Sequence, residues 1–385
     1  MFDKRSAINL PKLETLVPII NTRRWLSGMT AAVLLVVALG NVTWAQVPIL
    51  PLQVSTKTAS GGQQNPYGLV FVPIGFPHNT AQAGNALVSN FNDSANNQGQ
   101  GTTIVNIRPD RTTALFAAGL TPGLTAALGI LRAGYVLVGS ITVPKPSNFP
   151  GATSGPITVL DSNGKVVTTI PGVSTHNPTS LINGPWGMAV DDQMTTAKVF
   201  VSNVLNGTVI RIGLTLTPTF TVDSITKIAQ GYGFINNNTN PLVGPSGLAY
   251  NVELHTLYVT SAEKFRVYAV ANADTITTPV NLGTQIYADA IHLHGPVGLA
   301  LAPNGDLISA QADNFFPNPA MPSEIVEFTK TGLFVAQYSI DSTIGAAFNI
   351  ALGVNSDPLV PIKFAYVDDA QNTLNMVYLP TWGLW

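Results

Sequence analysis

A Pro-x-Gly signature followed by an apolar residue recurs along the chain, and this recurrence constrains the fold more than any other feature. The last three intact copies lie about 50–60 residues apart. A degenerate copy begins at Gly123 and a final one at Phe348. Internal repeats of about this length indicate a repeat architecture. The intact copies are Pro66-Tyr67-Gly68, Pro185-Trp186-Gly187, Pro245-Ser246-Gly247 and Pro296-Val297-Gly298.

Each copy opens the same series of apolar segments, which predicts β-strands. In the third unit the first segment is residues 187–190, the second is the Val-rich run 199–202, and the third alternates over 209–212. A fourth is clearest in the fifth unit, at residues 334–337. Alternation with turn residues between the segments is typical of strands joined by hairpins. Six such units predict an all-β fold, a six-bladed β-propeller of four-stranded antiparallel blades, because these units bury their faces only by stacking around an axis.

The last unit needs an outer strand from elsewhere in the chain. Its third strand is predicted at residues 374–377, close to Trp385. Residues 50–54, Leu-Pro-Leu-Gln-Val, form a short apolar segment that suits this role. We expect the two segments to pair and to close the ring, because an open ring would leave exposed strand edges.

The strand openings resemble those of NHL-repeat propellers and of the broader gluconolactonase-like six-bladed group, over most of residues 65–380. The resemblance implies the fold but no single function, because these propellers include lactonases, lyases, synthases and pure binding modules. In the gluconolactonase-like enzymes the residue between Pro and Gly is a metal-binding Asn or Asp, and amidating-lyase relatives place zinc-binding His at comparable positions. Here those positions hold Tyr67, Trp186, Ser246 and Val297, of which only Ser246 is a candidate ligand. The residues that carry either activity are therefore missing.

The N-terminal region has the parts of a secretory signal peptide. Arg23 and Arg24 precede an apolar run over residues 29–39, and the small-residue ending 43–45 follows. An uncleaved membrane anchor is the alternative, because about 20 uncharged residues can span a bilayer. We expect residues 1–45 to be the signal, 46–64 a lead-in with the closing strand, and 65–385 the propeller. The mature protein is then periplasmic or extracellular, and it contacts a membrane only if the segment is uncleaved.

Composition excludes several classes of function. Charged residues make up only 10% of the chain, against about a quarter in ordinary proteins. Without the first 45 residues, 13 basic and 18 acidic residues remain, so a nucleic-acid partner, which needs a basic surface, is not expected. The chain has no cysteine. Disulfides, thiol nucleophiles and thiolate metal sites are therefore excluded.

Three histidines are the candidate metal ligands or acid–base groups. His292 and His294 flank Leu293, so in an extended segment both imidazoles would lie on one face. His176 precedes the third unit as these two precede the fifth, and such loops surround the channel mouth of a propeller. Convergence of the three would suit a metal or proton transfer. The alternative is that they are separate solvated loop residues, and we expect weak or no metal binding.

Tyr67 and Trp186 are the candidate ligand-binding residues. At the start of inner strands they could stack against a flat or sugar-like ligand, or they could fill the channel. The favoured function is an exported, non-enzymatic binding or scaffold propeller without a cofactor, whose partner is a small molecule or protein at one propeller face. The alternative is a metal-dependent hydrolase or lyase of the gluconolactonase-like group, using His176, His292 and His294.

Overall fold

The computed structural model describes residues 52–57, 62–145, 148–237, 239, 242–312, 316–353 and 362–379. Within these residues the chain forms six β-sheets and one short 3₁₀-helix, Phe149–Gly151. The predicted fold class is confirmed: the protein is an all-β, six-bladed propeller. The candidate signal segment, residues 1–45, lies outside the described residues. No helix in the described part of the chain is long and apolar enough to cross a membrane.

In the first five blades the four main strands come from one stretch of the chain, and neighbours among them are antiparallel. Ahead of the first blade lies β1 (Leu52–Ser55). The first blade contains β2 (Gln64–Phe71), β3 (Ala86–Asn92), β4 (Ile104–Ile107) and β5 (Thr113–Ala117). The second contains β6 (Leu124–Leu131), β7 (Tyr135–Thr142), β8 (Thr153–Leu160) and β9 (Val166–Ile170). The third contains β10 (Pro185–Asp192), β11 (Thr196–Asn203), β12 (Thr208–Thr215) and β13 (Thr221–Gln230). The fourth blade contains β14 (Pro245–Asn251), β15 (Thr256–Ser261), β16 (Arg266–Val270) and β18 (Thr284–Ala288). The fifth contains β19 (Pro296–Leu301), β20 (Leu307–Gln311), β21 (Glu324–Phe328) and β22 (Phe334–Ser339). The sixth contains β23 (Ala347–Gly353), β24 (Ile362–Asp368) and β25 (Thr373–Leu379).

The third blade carries a fifth strand that belongs to the next unit. The segment β17 (Val280–Asn281), inserted between β16 and β18, pairs in parallel with the end of β13. Arg211 of β12 fixes the same insertion by donating to the carbonyls of Ala273 and Ile276 at 2.8 and 3.0 Å. The insertion therefore covers the outer edge of the third blade and links it to the fourth.

Inner and second strands are buried because blades pack against both of their faces. All seven residues of β3 and all eight of β6 are buried. Outer strands show less alternation between buried and exposed residues, and they are more exposed overall. In β9, four of five residues are exposed. Apolar clusters fill the spaces between neighbouring blades; one of them joins Leu137 and Ile157 of the second blade to Val199 and Ile212 of the third.

The Pro-x-Gly signature forms a β-bulge at the axis. The register between the first and second strands shifts at this motif in the intact copies. A Cβ added at Gly187 would lie 1.9 Å from the carbonyl oxygen of Ser246 in the next blade, and one at Gly247 would lie 2.6 Å from the carbonyl carbon of Gly298. The glycine is therefore required because neighbouring inner strands approach too closely for a side chain.

Hydroxyl side chains of second strands join neighbouring blades beneath the motif. The hydroxyl of Ser89 accepts the N–H of Gly68 at 2.9 Å and donates to the Thr125 carbonyl of the second blade at 3.0 Å. Ser202 likewise donates to the Ser246 carbonyl of the fourth blade at 2.8 Å. Because these groups are buried, the bonds satisfy polar atoms that would otherwise destabilise the ring.

The ring closes as predicted. The strand β1 pairs antiparallel with β25, with Val54 opposite Leu374, and so supplies the outer strand of the sixth blade. The backbone N–H and hydroxyl of Thr56 both donate to the Asn372 carbonyl at 3.0 Å. Closure gives the sixth blade four strands and removes an exposed edge from β25.

The substitution Gly187→Ala tests the close approach of the inner strands. We expect a loss of about 3 kcal/mol in the free energy of unfolding, because the added methyl group meets the backbone of the next blade. Gly119→Ala is the control: Gly119 has open space around it but a φ of +67°, so only the conformational cost of about 1 kcal/mol applies. Urea denaturation measures both, and equal losses would contradict the steric explanation.

Ring closure is tested at Val54, which is 6% exposed within the core. Val54→Asp should lower the free energy of unfolding by about 3 kcal/mol, because it places an unpaired charge in an apolar cluster. The neighbouring Gln53 is exposed, so Gln53→Asp is a matched control that should change stability little. A Val54→Asp protein with the melting temperature of the Gln53→Asp protein would show that β1 does not stabilise the ring.

Candidate functional site

A cavity of about 290 Å³ lies at the mouth of the central channel, on the face where the inner strands begin. The residues come from the starts of inner strands, the ends of second strands and the loops beside them. We call it the channel-mouth cavity, and its lining is Asn65, Tyr67, Phe91, Asn92, Asn96, Gln98, Phe149, Trp186, Leu242, Val243, Ala262, Gly295, Val297, Ala312, Phe316, Phe348 and Asp369.

Four aromatic side chains form the floor of the cavity. The rings of Tyr67 and Phe348 stack in parallel with centroids 3.6 Å apart, and Phe91 stacks on Tyr67 at 4.6 Å. Trp186 meets Tyr67, Phe91 and Phe348 edge-on at 5.9–6.1 Å. Each of the four is less than a tenth exposed. The four rings therefore pack as one cluster beneath the cavity.

The aromatic floor follows from the bulge at each inner strand. Tyr67, Trp186, Val297 and Phe348 all occupy the position between the proline and the glycine, or its equivalent in the sixth unit. The bulge brings these side chains from four blades into one buried cluster. The repeat that shapes the fold therefore also supplies the floor.

Two loops add apolar walls. Phe149 belongs to the 3₁₀-helix in the second blade, and its carbonyl accepts the Asn236 side chain of the third blade at 2.7 Å. Val243 is held by a two-way backbone bridge with Ile235, at 2.7 and 2.9 Å. Phe316, from the fifth blade, completes the apolar wall. One wall is thus fixed by a hydrogen bond between blades and another by a bridge within its own loop.

The rim is made of amide side chains. Asn65 has a φ of +65°, and its backbone N–H donates to Oδ1 of Asn372 at 2.6 Å, while its side chain donates to the Tyr67 hydroxyl at 3.3 Å. Asn92 donates to Oδ1 of Asn96 at 2.8 Å. Its own Oδ1 is buried without a hydrogen-bond partner among the described residues, as is the indole N–H of Trp186. These two atoms are unsatisfied polar groups of the lining.

Asp369 is the one carboxyl among the described lining residues. It follows β24, where its backbone N–H donates to the Ala346 carbonyl at 3.1 Å. Burial raises the pKa of Asp369 well above its usual range, and the nearby carboxyls of Asp368 and Asp341 raise it further. Burial also raises the pKa of Tyr67, with Asp369 adding to the effect. The cavity therefore favours the neutral acid at this position when nothing compensates its charge.

Asp368 and Asp341 form an acidic pair beside Asp369. Burial and the neighbouring Asp341 together raise the pKa of Asp368 to about 6, although the N–H of Gln371, which donates to its carboxyl at 2.9 Å, lowers it. The N–H of Thr343 donates to Asp341 at 2.6 Å. The pair joins the loop before β23 to the turn after β24.

The alternation argument for His292 and His294 assumed an extended segment, and the structure has a turn there instead. The N–H of Leu293 donates to the Asp289 carbonyl at 2.9 Å, which closes a turn where an extended segment was expected. Nδ1 of His292 bonds the Asp289 carboxylate, and its ring stacks on Phe334 with centroids 4.0 Å apart. The turn separates the two imidazoles, because a period of two applies only to extended chain.

His294 instead pairs with a buried carboxylate of the fifth blade. Its Nδ1 lies 2.6 Å from Oε1 of Glu324, which is fully buried, and Asn318 donates to the other carboxylate oxygen at 3.2 Å. His176 is exposed, with Nδ1 3.3 Å from the Thr175 hydroxyl. In the described part of the chain no group of three or more His, Cys, Asp or Glu side chains could hold a metal ion. The structure thus does not gather the three histidines into one ligand set.

Tyr67 and Trp186 lie at the starts of inner strands, as the repeat predicts, and both belong to the buried cluster that lines the cavity. Contact with a ligand remains a prediction. Sequence reasoning missed Phe348, Asn65 and Asp369 as lining residues. The degenerate sixth copy signals Phe348, but no pattern in the sequence marks Asp369.

No protein-family model matches the chain, and no curated protein matches it. Solved structures similar to it include a calcium-binding protein, regucalcin, from Agrobacterium tumefaciens, with a TM-score of 0.51 and 11% identity over 86% of this chain and 94% of that one. A gluconolactonase from Xanthomonas campestris has a TM-score of 0.49 and 14% identity over 87% and 98%. Virginiamycin B lyase from Staphylococcus aureus has a TM-score of 0.47 and 13% identity over 86% and 89%. The expected resemblance to the gluconolactonase-like group is confirmed at the level of the fold.

The pairing of His294 with Glu324 predicts a structural cost for removing the imidazole. His294→Ala should lower the free energy of unfolding by about 2 kcal/mol, because a buried carboxylate loses a hydrogen-bond partner. His176→Ala, at an exposed position, should change it by about 0.5 kcal/mol or less. Thermal and urea denaturation of both variants measure the difference. Equal stabilities would show that the pair contributes nothing to the fold.

Proposed function

We propose that this protein binds a small organic molecule in the channel-mouth cavity. One observation carries the proposal: the centre of the ring is filled by aromatic rings below and left open above, as a cavity of about 290 Å³. Small-molecule sites are concave, mostly apolar, and carry a few placed polar groups. This volume is at the lower end of such sites, which suits a small ligand.

The lining supports a ligand with an apolar body and a few polar atoms. Aromatic and aliphatic side chains form the floor and walls, and amide groups with one carboxyl form the rim. The unpartnered Oδ1 of Asn92 and the indole N–H of Trp186 lie within the same lining. Buried polar atoms are normally satisfied by a ligand or ordered water. Their presence supports binding of a molecule with both a donor and an acceptor.

Enzymatic turnover of the bound molecule is the second candidate. The observation in its favour is Asp369, because a raised pKa in an apolar cavity is typical of a carboxyl that donates a proton. A hydrolase or lyase reaction would use it as the general acid. The described residues provide no set of three metal-binding carboxylate or imidazole side chains, so no step is routed through a metal. We also propose that the protein acts outside the cytoplasm, as expected from residues 1–45, whichever of the two functions it has.

Blocking the cavity tests the proposal. Gln98 is exposed at the rim, so Gln98→Trp should fill the opening without disturbing the core. Gln285 is exposed on the outer strand β18, and Gln285→Trp is the matched control. Compounds from a collection of small aromatic and polar molecules that raise the melting temperature of the parent should also stabilise the control but not the Gln98→Trp protein.

The same experiment separates the two candidate functions. Mass spectrometry of each bound compound after incubation shows whether it is recovered unchanged, as a binding protein requires, or converted, as an enzyme requires. Loss of conversion with retained binding in Asp369→Asn would then assign the proton donor. Compounds that stabilise the Gln98→Trp and parent proteins equally would place binding elsewhere and contradict the proposal.

A further inference from the structure

The ionisable side chains of the channel-mouth cavity can carry only negative charge. Among the described lining residues the ionisable side chains are Asp369 and Tyr67, and none is basic. Asp368 and Asp341 lie close enough to Asp369 to oppose its ionisation. No Lys, Arg or His side chain in the described part of the chain forms an ion pair with any of these three carboxyls. The cavity therefore presents an uncompensated negative potential when the carboxyls ionise.

This arrangement differs from that of Asp274 and Glu324 but is shared by Glu327 of β21, a buried carboxyl whose two oxygens have no hydrogen-bond partner among the described residues. Asp274 is paired with Lys198 at 3.3 Å and His255 at 3.0 Å, and Glu324 is paired with His294 at 2.6 Å. Buried charges in folded proteins are normally paired in this way. Asp369 has no such partner within the described residues, although it is the carboxyl that faces an open cavity. Unlike Glu327, Asp369 lines a cavity, so a bound ligand can supply the missing partner.

The remaining lining also suits a positive charge. Tyr67, Phe91, Trp186 and Phe348 supply electron-rich rings, and organic cations bind against such rings, most strongly where water is excluded. The amide oxygens of the rim can accept hydrogen bonds from an ammonium group. An anion would find no basic group among the described lining residues.

We propose that the ligand of the channel-mouth cavity is an organic cation, a small ammonium compound with an apolar or aromatic body, for which Asp369 is the counter-ion. This inference rests on the proposed binding function and specifies the ligand class. The ammonium group lies against the Asp369 carboxylate and the amide rim, and the apolar body lies on the aromatic floor. Neutral and anionic compounds of the same shape bind more weakly.

The proposal fixes the direction of the pH dependence. Burial, Asp368 and Asp341 favour the protonated form of Asp369 in the empty cavity, and Tyr67 on the facing strand carries no positive charge. A cation needs the ionised form, so its affinity rises as pH rises through the raised pKa of Asp369. A neutral ligand that accepts a hydrogen bond from the protonated acid shows the opposite dependence.

Three probes of similar shape and different charge test the inference: 2-phenylethylammonium, 2-phenylethanol and phenylacetate. Isothermal titration calorimetry on the purified protein at about pH 8 should give an affinity about tenfold higher for the ammonium probe than for the alcohol. This preference should shrink as the pH is lowered toward about 5. Asp369→Asn should remove it. Asp110→Asn, which removes an exposed carboxylate, should retain it.

The outcomes distinguish this inference from the proposed function. If the alcohol binds as tightly as the ammonium probe, or more tightly at acidic pH, the cation is the wrong ligand class and the binding function stands. If the preference survives in Asp369→Asn, the carboxylate is not the counter-ion and the inference fails. If none of the three binds, the inference fails as well, while the proposed function is decided separately by the larger compound collection and the Gln98→Trp protein.

Discussion

The close approach of inner strands at the propeller axis is the constraint on which the rest of the structure depends. Backbone atoms of neighbouring blades come so near at Gly187 and Gly247 that no side chain fits between them. Buried hydroxyls such as Ser89 and Ser202 then bridge the blades by accepting from one backbone and donating to the next. Six blades can meet at one axis only with this combination of missing side chains and satisfied polar groups.

The same constraint decides what the channel contains. The bulge that admits the glycine places the preceding side chain in the channel, so the identity of that residue is free while its location is fixed. In this chain the positions hold Tyr67, Trp186 and Phe348, which pack into a closed floor. Relatives that carry Asn or Asp at these positions would have a polar floor instead. A change of residue at an unchanged position thus alters the chemistry while the ring is conserved.

Most of the fold can be predicted from the sequence repeat, whereas most of the features that the sequence does not predict lie in loops. Strands such as β12 and the closing partner of β25 follow from periodicity and from the need to pair a free edge. The parallel strand β17 does not, because two residues inserted between β16 and β18 have no period, and their pairing depends on contacts with another blade. The alternation argument for His292 and His294 does not apply for a related reason: a turn closed by Asp289 replaces the extended chain on which that argument rests.

The candidate site divides into a part that the repeat determines and a part that it does not. Tyr67, Trp186 and Phe348 occupy equivalent positions in the first, third and sixth units, so the repeat predicts that they converge at the axis, whereas Phe91 comes from a second strand. Asp369, in contrast, lies in the turn after the second strand of the sixth blade. Aspartate is common in solvated hairpin turns, so the pair Asp368-Asp369 does not by itself indicate a cavity wall. Its surroundings become visible only when the sixth blade closes against the first and brings Asn372 onto Asn65. Residues above the aromatic floor therefore also join blades: Asn65 bonds Asn372 of the sixth blade, and the Phe149 carbonyl accepts from Asn236. A change in the cavity wall can thus alter the contacts that hold the ring together.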